Sequence, residues 1–201
     1  PRGMIRAQEA WGIVAVAGIM YVTSAAALNP LCLRLSPIPV ILFVVYPYLK
    51  RFTELAHLGL GLAWSMAPLG GWLAVTGSLA SLRSIGWLWL FAVLWVAGFD
   101  IIYATMDKRF DKQMGLHSLP VWLGRRRALW VAAAVHVMAL GALLALWYIY
   151  PFANVAWVCL LGISFTLLWE HAIALKQPQV AFFHCNAIIG FLVFGFVLSG
   201  M

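Results

Sequence analysis

Seven apolar stretches follow one another along the chain, and they constrain its fold more than any other feature. Most of them approach the roughly 20 residues that an α-helix needs to cross a bilayer. They cover residues 11–28, 37–49, 58–75, 85–106, 128–150, 155–175 and 180–199. Turn signals such as Asn29-Pro30 separate them. We therefore predict an all-α, multi-span transmembrane helical bundle that forms a single domain over residues 1–201.

The composition excludes a soluble fold. The chain is 65% hydrophobic and 9% charged, with a mean hydropathy of +0.96, whereas soluble domains are about half apolar and a quarter charged. A net charge of +7 would also suit nucleic acid. Because the basic residues are scattered between apolar spans, they are better explained by membrane topology. We predict an integral membrane protein in contact with lipid, without a nucleic-acid partner.

The basic residues are distributed unevenly between alternate loops. One side of the predicted bundle receives Arg2, Arg6, Lys50, Arg51, Lys108, Arg109, Lys112, Arg125, Arg126, Arg127 and Lys176, and the other receives Arg34 and Arg83. Cytoplasmic loops carry an excess of Lys and Arg. The first side is therefore predicted to be cytoplasmic, and its agreement with strict alternation supports seven spans.

Carboxylates occur at the end of the fourth span, where a membrane helix rarely carries them. Asp100, Tyr103, Asp107 and Asp111 are three, four and four residues apart, so on a helix they share one face. Like charges one turn apart repel each other unless a cation lies between them. Carboxylate oxygens suit Mg²⁺, which commonly also binds substrate phosphates. The spacing therefore indicates a magnesium site.

An alternative is that Asp107 and Asp111 belong to a solvated loop, because three basic residues lie among them. Asp100 argues against that alternative. It lies inside an apolar stretch, and an ionisable residue there indicates a functional site.

A second group of polar residues ends the second span. Tyr46 and Lys50 are four residues apart and would share a helix face if Pro47 lies in the early turns of the helix or kinks it. Lys50 or Arg51 would then be placed to bind a phosphate. The alternative is that both cations are ordinary topology residues at the membrane surface.

Three segments carry a resemblance to a known family: residues 45–53 (Val-Tyr-Pro-Tyr-Leu-Lys-Arg-Phe-Thr), residues 61–71, and the run from Gly98 to Ser118. In this order they resemble the UbiA superfamily of intramembrane prenyltransferases, and most closely its 4-hydroxybenzoate polyprenyltransferase-like branch. The resemblance implies nine transmembrane helices around a central cavity. It also implies that Mg²⁺ holds the diphosphate of a polyprenyl donor between two aspartate-rich motifs.

The resemblance assigns roles to individual residues. Asp107 and Asp111 match the metal-binding aspartates of the second motif, and Asp100 and Tyr103 lie on its upstream shoulder. With Lys50, which matches the lysine of a Y-x-x-x-K motif, Asp100 and Tyr103 form the predicted catalytic set. From the chemistry of the reaction, Asp100 or another carboxylate is the candidate base for the acceptor's proton. The predicted substrate-binding residues are Tyr46, Lys50, Arg51, Lys108, His117 and Asn186.

Two departures from the family pattern affect the expected activity. The first motif, N-D-x-x-D-x-x-x-D, is absent, and Pro1-Arg2-Gly3 resembles the segment that follows it. We therefore expect that two N-terminal helices and one metal site are missing, which places the catalytic competence of this chain alone in question. His117 occupies a position where many members have Lys; its G-L-H-S-x-P context resembles the branch linked to the futalosine route to menaquinone. Its alternative role is that of a surface loop residue.

The predicted reaction is Mg²⁺-dependent transfer of a polyprenyl group to an aromatic quinone precursor in ubiquinone or menaquinone biosynthesis. The metal and basic residues would neutralise the leaving diphosphate, and aromatic rings would shield the carbocation from water. The acceptor, 4-hydroxybenzoate or a dihydroxynaphthoate, stays open, as do the chain length of the donor and the oligomeric state. The expected location is the bacterial inner membrane, with the active-site loops on the cytoplasmic side.

Two other interpretations remain. The chain could be a transporter or lipid-binding protein in which Asp100 and Glu170 relay protons or ions, or a non-catalytic piece of the enzyme. The Glu170-His171 pair itself is open to two interpretations, a ligand site or an interhelical hydrogen bond.

Overall fold

The computed structural model describes residues 6–80 and 82–200, without the side chains of Arg83 and Ser84. Every regular element in these ranges is helical. The helices are α1 (Ala7–Leu28), α2 (Pro30–Leu35), α3 (Pro37–Leu49), α4 (Ala56–Thr76), α5 (Leu82–Gln113), α6 (Leu119–Leu123), α7 (Arg125–Ile149), α8 (Val155–Ile173), α9 (Pro178–Val180), a π-helical turn (Ala181–Cys185) and α10 (Asn186–Leu198).

Seven stretches of these helices are long and apolar enough to cross a membrane, which confirms the predicted count. Two of them are composite. Pro30–Leu49 joins α2 and α3, and Pro178–Leu198 joins α9, the π-helical turn and α10. Pro30 and Pro37 open their helices, where the missing N–H of proline costs nothing. Pro47 lies near the C-terminal end of α3 rather than in its early turns.

α5 is the central element of the bundle and packs most extensively against α4 and α7. Small residues make these contacts close. Gly61 of α4 lies against the backbone carbonyl of Val93, where a Cβ atom would clash. On α7, Ala128, Ala132 and Ala139 are buried at one-turn and two-turn intervals. Small residues let transmembrane helices approach closely, which is how such bundles are held together in lipid.

The N-terminal spans lie at the edge of the bundle. α1 buries only Ala25 among its described residues, and α3 has none that is fully buried. Asn29 connects them to α4: its side chain accepts from Cys32 N (2.8 Å) and donates to the carbonyl oxygens of Leu73 (3.0 Å) and Ala74 (3.2 Å). A cavity of about 670 Å³ lies between α1, α2, α3 and α4 and is lined almost entirely by apolar side chains.

Candidate active site

The last four turns of α5 carry the carboxylates that the sequence analysis singled out. The helix continues through Asp107 and Asp111 to Gln113, so the interpretation of these two residues as part of a solvated loop was wrong. A Schellman motif ends it: Gly115 has φ +65°, its N–H donates to Lys112 O (3.4 Å), and Leu116 N donates to Asp111 O (2.8 Å). Continuous helix therefore places the three aspartates on one face.

Lys50 meets this face from the end of α3. Its Nζ lies 3.7 Å from Asp111 Oδ2. Asp111 is only 2% exposed, and among the described residues its Oδ2 accepts no hydrogen bond. Asp107, which is partly buried, lies near enough to Lys50, Asp111 and Asp100 for all three charges to act on it. We call this region, defined by Lys50, Asp100, Asp107 and Asp111, the carboxylate end.

A buried histidine that the sequence analysis missed orients Asp100. His57, at the start of α4, is 1% exposed, and its Nδ1 lies 2.7 Å from Asp100 Oδ2. Leu119 N–H points to the other ring nitrogen, Nε2, at 3.5 Å. Because an N–H can only donate, Nε2 accepts and Nδ1 carries the proton that is donated to Asp100. A polar residue directly before the third apolar stretch was the signal that could have found it.

Two loops close over the carboxylate end. His117 N–H donates to Lys50 O (2.7 Å), and His117 Nδ1 lies 2.9 Å from Glu54 Oε1. The hydrogen bond with His117 lowers the pKa of Glu54. His117 thus joins the loop after α3 to the loop after α5. A pocket of about 310 Å³ opens beside it, with Glu54, Lys112 and Ser118 in its lining.

The other predicted residues lie at varying distances from this centre. Tyr46 packs against Phe43, with ring centroids 6.2 Å apart, on the part of α3 that faces Gly59 of α4. The Arg51 guanidinium is exposed and lies over the Tyr48 ring, 5.3 Å from its centroid. Lys108, next to Asp107, is partly buried.

Tyr103 faces a different neighbour from the aspartates. Its ring lies 4.8 Å from that of Phe182 in the π-helical turn, and Phe182 also contacts Phe99 at 5.5 Å. Phe99 in turn packs edge-on against Trp95 at 5.7 Å. These rings form a continuous aromatic row along α5 that begins beside the carboxylate end.

Asn186 lies deeper in the bundle. Its Oδ1 accepts from Trp95 Nε1 (2.8 Å), and its Nδ2 donates to Phe182 O (2.7 Å) and Glu170 Oε1 (3.5 Å). Of the two interpretations of Glu170, a ligand site or an interhelical hydrogen bond, the structure therefore shows the interhelical hydrogen bond. Asn186 makes its hydrogen bonds within the protein, away from Lys50 and the aspartates.

The donor set of the carboxylate end fits a hard divalent cation. Asp107 and Asp111 supply carboxylate oxygens from successive turns, and the buried Asp111 Oδ2 lacks a hydrogen-bond donor in the described part of the chain. Lys50 adds a positive charge beside them. Such a site suits Mg²⁺ with a phosphate-bearing ligand. The carboxylate end thus combines the ligand types that a divalent cation and a phosphorylated ligand require.

Comparisons with known proteins identify the family of this chain. A model of the UbiA prenyltransferase family matches residues 1–186, and the chain belongs to that family. A solved structure, the apo structure of a UbiA homolog from Aeropyrum pernix K1, superposes with a TM-score of 0.86 at 35% identity. The match covers 96% of this chain and 74% of that chain. The intramembrane UbiA fold predicted from the sequence is therefore confirmed, and the chain is a prenyltransferase by family.

Two curated relatives carry the same name. The 4-hydroxybenzoate octaprenyltransferases of Vibrio campbellii and Vibrio atlanticus are 30% and 31% identical to this chain over 196 residues. Each match covers 96% of this chain and 68% of the relative.

Proposed function

We propose that this protein transfers a polyprenyl group from a polyprenyl diphosphate to an aromatic acceptor, with 4-hydroxybenzoate as the first candidate acceptor. The observation that carries the proposal is the buried Asp111 carboxylate beside Lys50, in line with Asp107 and Asp100 at one end of an apolar bundle. The names of the Vibrio relatives support the acceptor. A dihydroxynaphthoate is the competing acceptor, which the sequence around His117 favours.

The residues of the carboxylate end have separate roles in this proposal. Asp107 and Asp111 would hold Mg²⁺, which when bound neutralises charge on the leaving diphosphate. Lys50 contributes a fixed positive charge to the same diphosphate, and such preorganised charge is worth most in a water-poor site. His57 holds Asp100 by its hydrogen bond, so that the carboxylate is oriented to accept the proton that the acceptor ring loses.

The aromatic row would stabilise the prenyl cation. The rings of Trp95, Phe99 and Tyr103 follow one another along α5, and Tyr103 lies one turn from Asp107. Aromatic faces attract cations by roughly 0.5 to 2 kcal/mol each and carry no lone pair that would trap the cation. Location in the inner membrane, with this end on the cytoplasmic side, completes the proposal.

The test is a prenyl-transfer assay in lipid, with geranyl or longer diphosphates and each acceptor in turn. The full-length Vibrio campbellii relative is assayed beside the chain for comparison. We expect Mg²⁺-dependent transfer to 4-hydroxybenzoate that falls about 100-fold or more in Asp107→Asn and Lys50→Met. Glu9→Gln and Lys176→Met, two exposed positions, serve as matched controls. No transfer to either acceptor by folded protein would contradict the proposal.

A further inference from the structure

A second polar cluster lies inside the bundle, apart from the carboxylate end. It consists of His136 on α7 and Glu170 and His171 on α8. His136 is 1% exposed and Glu170 is fully buried, while His171 is partly buried. One ligand atom from each of the three lies within 4.8 Å of the other two. Buried ionisable groups in a membrane span are costly, so their convergence needs a physical reason.

The hydrogen bonds of His136 show which of its ring nitrogens has a free lone pair. Its Nε2 lies 3.2 Å from the carbonyl oxygen of Trp95. A carbonyl can only accept, so Nε2 carries the proton and Nδ1 of the neutral ring carries the lone pair. That Nδ1 lies 2.9 Å from His171 Nε2 and 3.5 Å from Glu170 Oε2.

One proton cannot satisfy this arrangement. If His171 Nε2 donates to His136 Nδ1, then Glu170 Oε2 is left as a buried carboxylate oxygen without a donor, and among the described residues it accepts no hydrogen bond. A cation between the three atoms satisfies both imidazole nitrogens and the carboxylate together. The cation also balances the carboxylate charge inside the membrane.

The ligand types select the ion. Two imidazole nitrogens and one carboxylate suit a transition metal such as Zn²⁺ rather than Mg²⁺ or Ca²⁺, which prefer oxygen ligands. Zinc–ligand bonds of about 2.0–2.1 Å in a tetrahedral site place neighbouring ligand atoms about 3.3 Å apart. The distances of 2.9 Å and 3.5 Å lie on either side of that value. The third pair of ligand atoms lies within 4.8 Å, so it has to approach by at most about 1.5 Å to complete the site.

The surroundings hold the ligands in place. The Trp95 carbonyl fixes the ring orientation of His136, and Asn186 Nδ2 donates to Glu170 Oε1 at 3.5 Å. The absence of a side chain at Gly98 makes room for His136, because a Cβ atom on residue 98 would clash with the imidazole ring. Outer contacts of this kind orient metal ligands and raise affinity.

We propose that His136, Glu170 and His171 form a transition-metal site, with Zn²⁺ as its first candidate, that joins α7 to α8 within the membrane. The site leaves one tetrahedral position for water or another ligand. It is separate from the Mg²⁺ site proposed at the carboxylate end, and it differs from that site in both ligand type and position.

The test measures metal binding without prenyl transfer. The protein is purified in detergent and lipid without a polyhistidine tag, and Zn²⁺ content and Co²⁺ absorption spectra are recorded. The variants are Glu170→Gln, which keeps the shape of the side chain, and His171→Gln at the partly buried position. His117→Ala and His184→Ala, both exposed histidines outside the cluster, are the controls. Circular dichroism establishes that each variant is folded.

We expect about one metal ion per chain and the visible absorption of four-coordinate Co²⁺ in the unchanged protein and in both controls. Affinity should fall more than about tenfold in Glu170→Gln and His171→Gln. Added Zn²⁺ should raise the melting temperature of the unchanged protein and leave that of Glu170→Gln unaltered. Absence of metal uptake by the unchanged protein, or equal uptake by the folded variants, would overturn the proposal.

Discussion

His57 and Asp100 form the shortest side-chain contact at the carboxylate end, at 2.7 Å between Nδ1 and Oδ2. The ring is buried and its second nitrogen faces the Leu119 backbone. Because both nitrogens are engaged, the histidine has one orientation, and Asp100 takes its orientation from it. His57 is therefore a positioning residue for the proposed base.

His57→Ala should lower the rate of prenyl transfer by about 10- to 100-fold, the usual cost of losing an orienting partner. His57→Asn should recover part of that loss, since its amide can donate from a position close to that of Nδ1. Initial rates, compared at equal amounts of folded protein, measure the effect. An unchanged rate in folded His57→Ala would show that Asp100 needs no such partner.

The contact between Glu54 and His117 predicts a pH dependence of stability. In the folded state, this hydrogen bond lowers the pKa of Glu54. The contact therefore contributes its full stabilisation above the ordinary carboxyl pKa, and this stabilisation is lost as the pH falls through the pKa of Glu54 in the folded protein. The melting temperature of Glu54→Gln should be slightly below that of the unchanged protein at pH 7. The difference should vanish under acid conditions and be absent in a His117→Ala background. A difference that grows on acidification would contradict this.

At the scale of helices, hydropathy predicted the seven spans because each must bury apolar surface in lipid over a fixed length. It placed the end of the fourth span at Met106, whereas α5 continues to Gln113. The charged residues after Met106 end the apolar run but not the helix, which stops only where Gly115 takes a positive φ. The predicted spacing of Asp100, Asp107 and Asp111 therefore holds on one continuous helix.

Partners across helices could not be predicted in the same way. The pairing of His57 with Asp100 joins residues 43 positions apart, and that of Lys50 with Asp111 depends on how α3 ends. Neither pairing has a periodic signature in one sequence. The family resemblance indicated Lys50 and Asp111, whereas His57 belongs to none of the motifs that carried it.

The contact between α4 and α5 is the structural support of the carboxylate end. Gly61→Ala would drive a methyl group into the Val93 carbonyl, and such overpacking typically costs about 1–3 kcal/mol. We expect a lower melting temperature and, because His57 lies one turn away on α4, a lower transfer rate. Gly70→Ala is the matched control: it lies in the same helix with open space around it. Equal behaviour of the two variants would contradict close α4–α5 packing.

At the scale of the whole molecule, the alternation of basic loops predicts a fixed orientation. Lys176 lies in the loop after α8 and Asn154 in the loop before it, at opposite ends of one span. In a chain with its three cysteines replaced by alanine, Lys176→Cys should react with a membrane-impermeant thiol reagent only after permeabilisation. Asn154→Cys should react in intact cells. The reverse pattern would place the carboxylate end outside.

The bundle as a whole combines a largely apolar interior with one charged end, and the proposed chemistry requires this contrast. The most direct test is the initial rate of prenyl transfer as a function of free Mg²⁺, compared between the unchanged protein and Asp111→Asn, with Glu9→Gln as control. The account predicts no transfer without Mg²⁺ and a requirement for Mg²⁺ raised at least about tenfold in Asp111→Asn. Transfer that is independent of Mg²⁺, or the same Mg²⁺ dependence in both proteins, would contradict the assignment of Asp111 as a metal ligand.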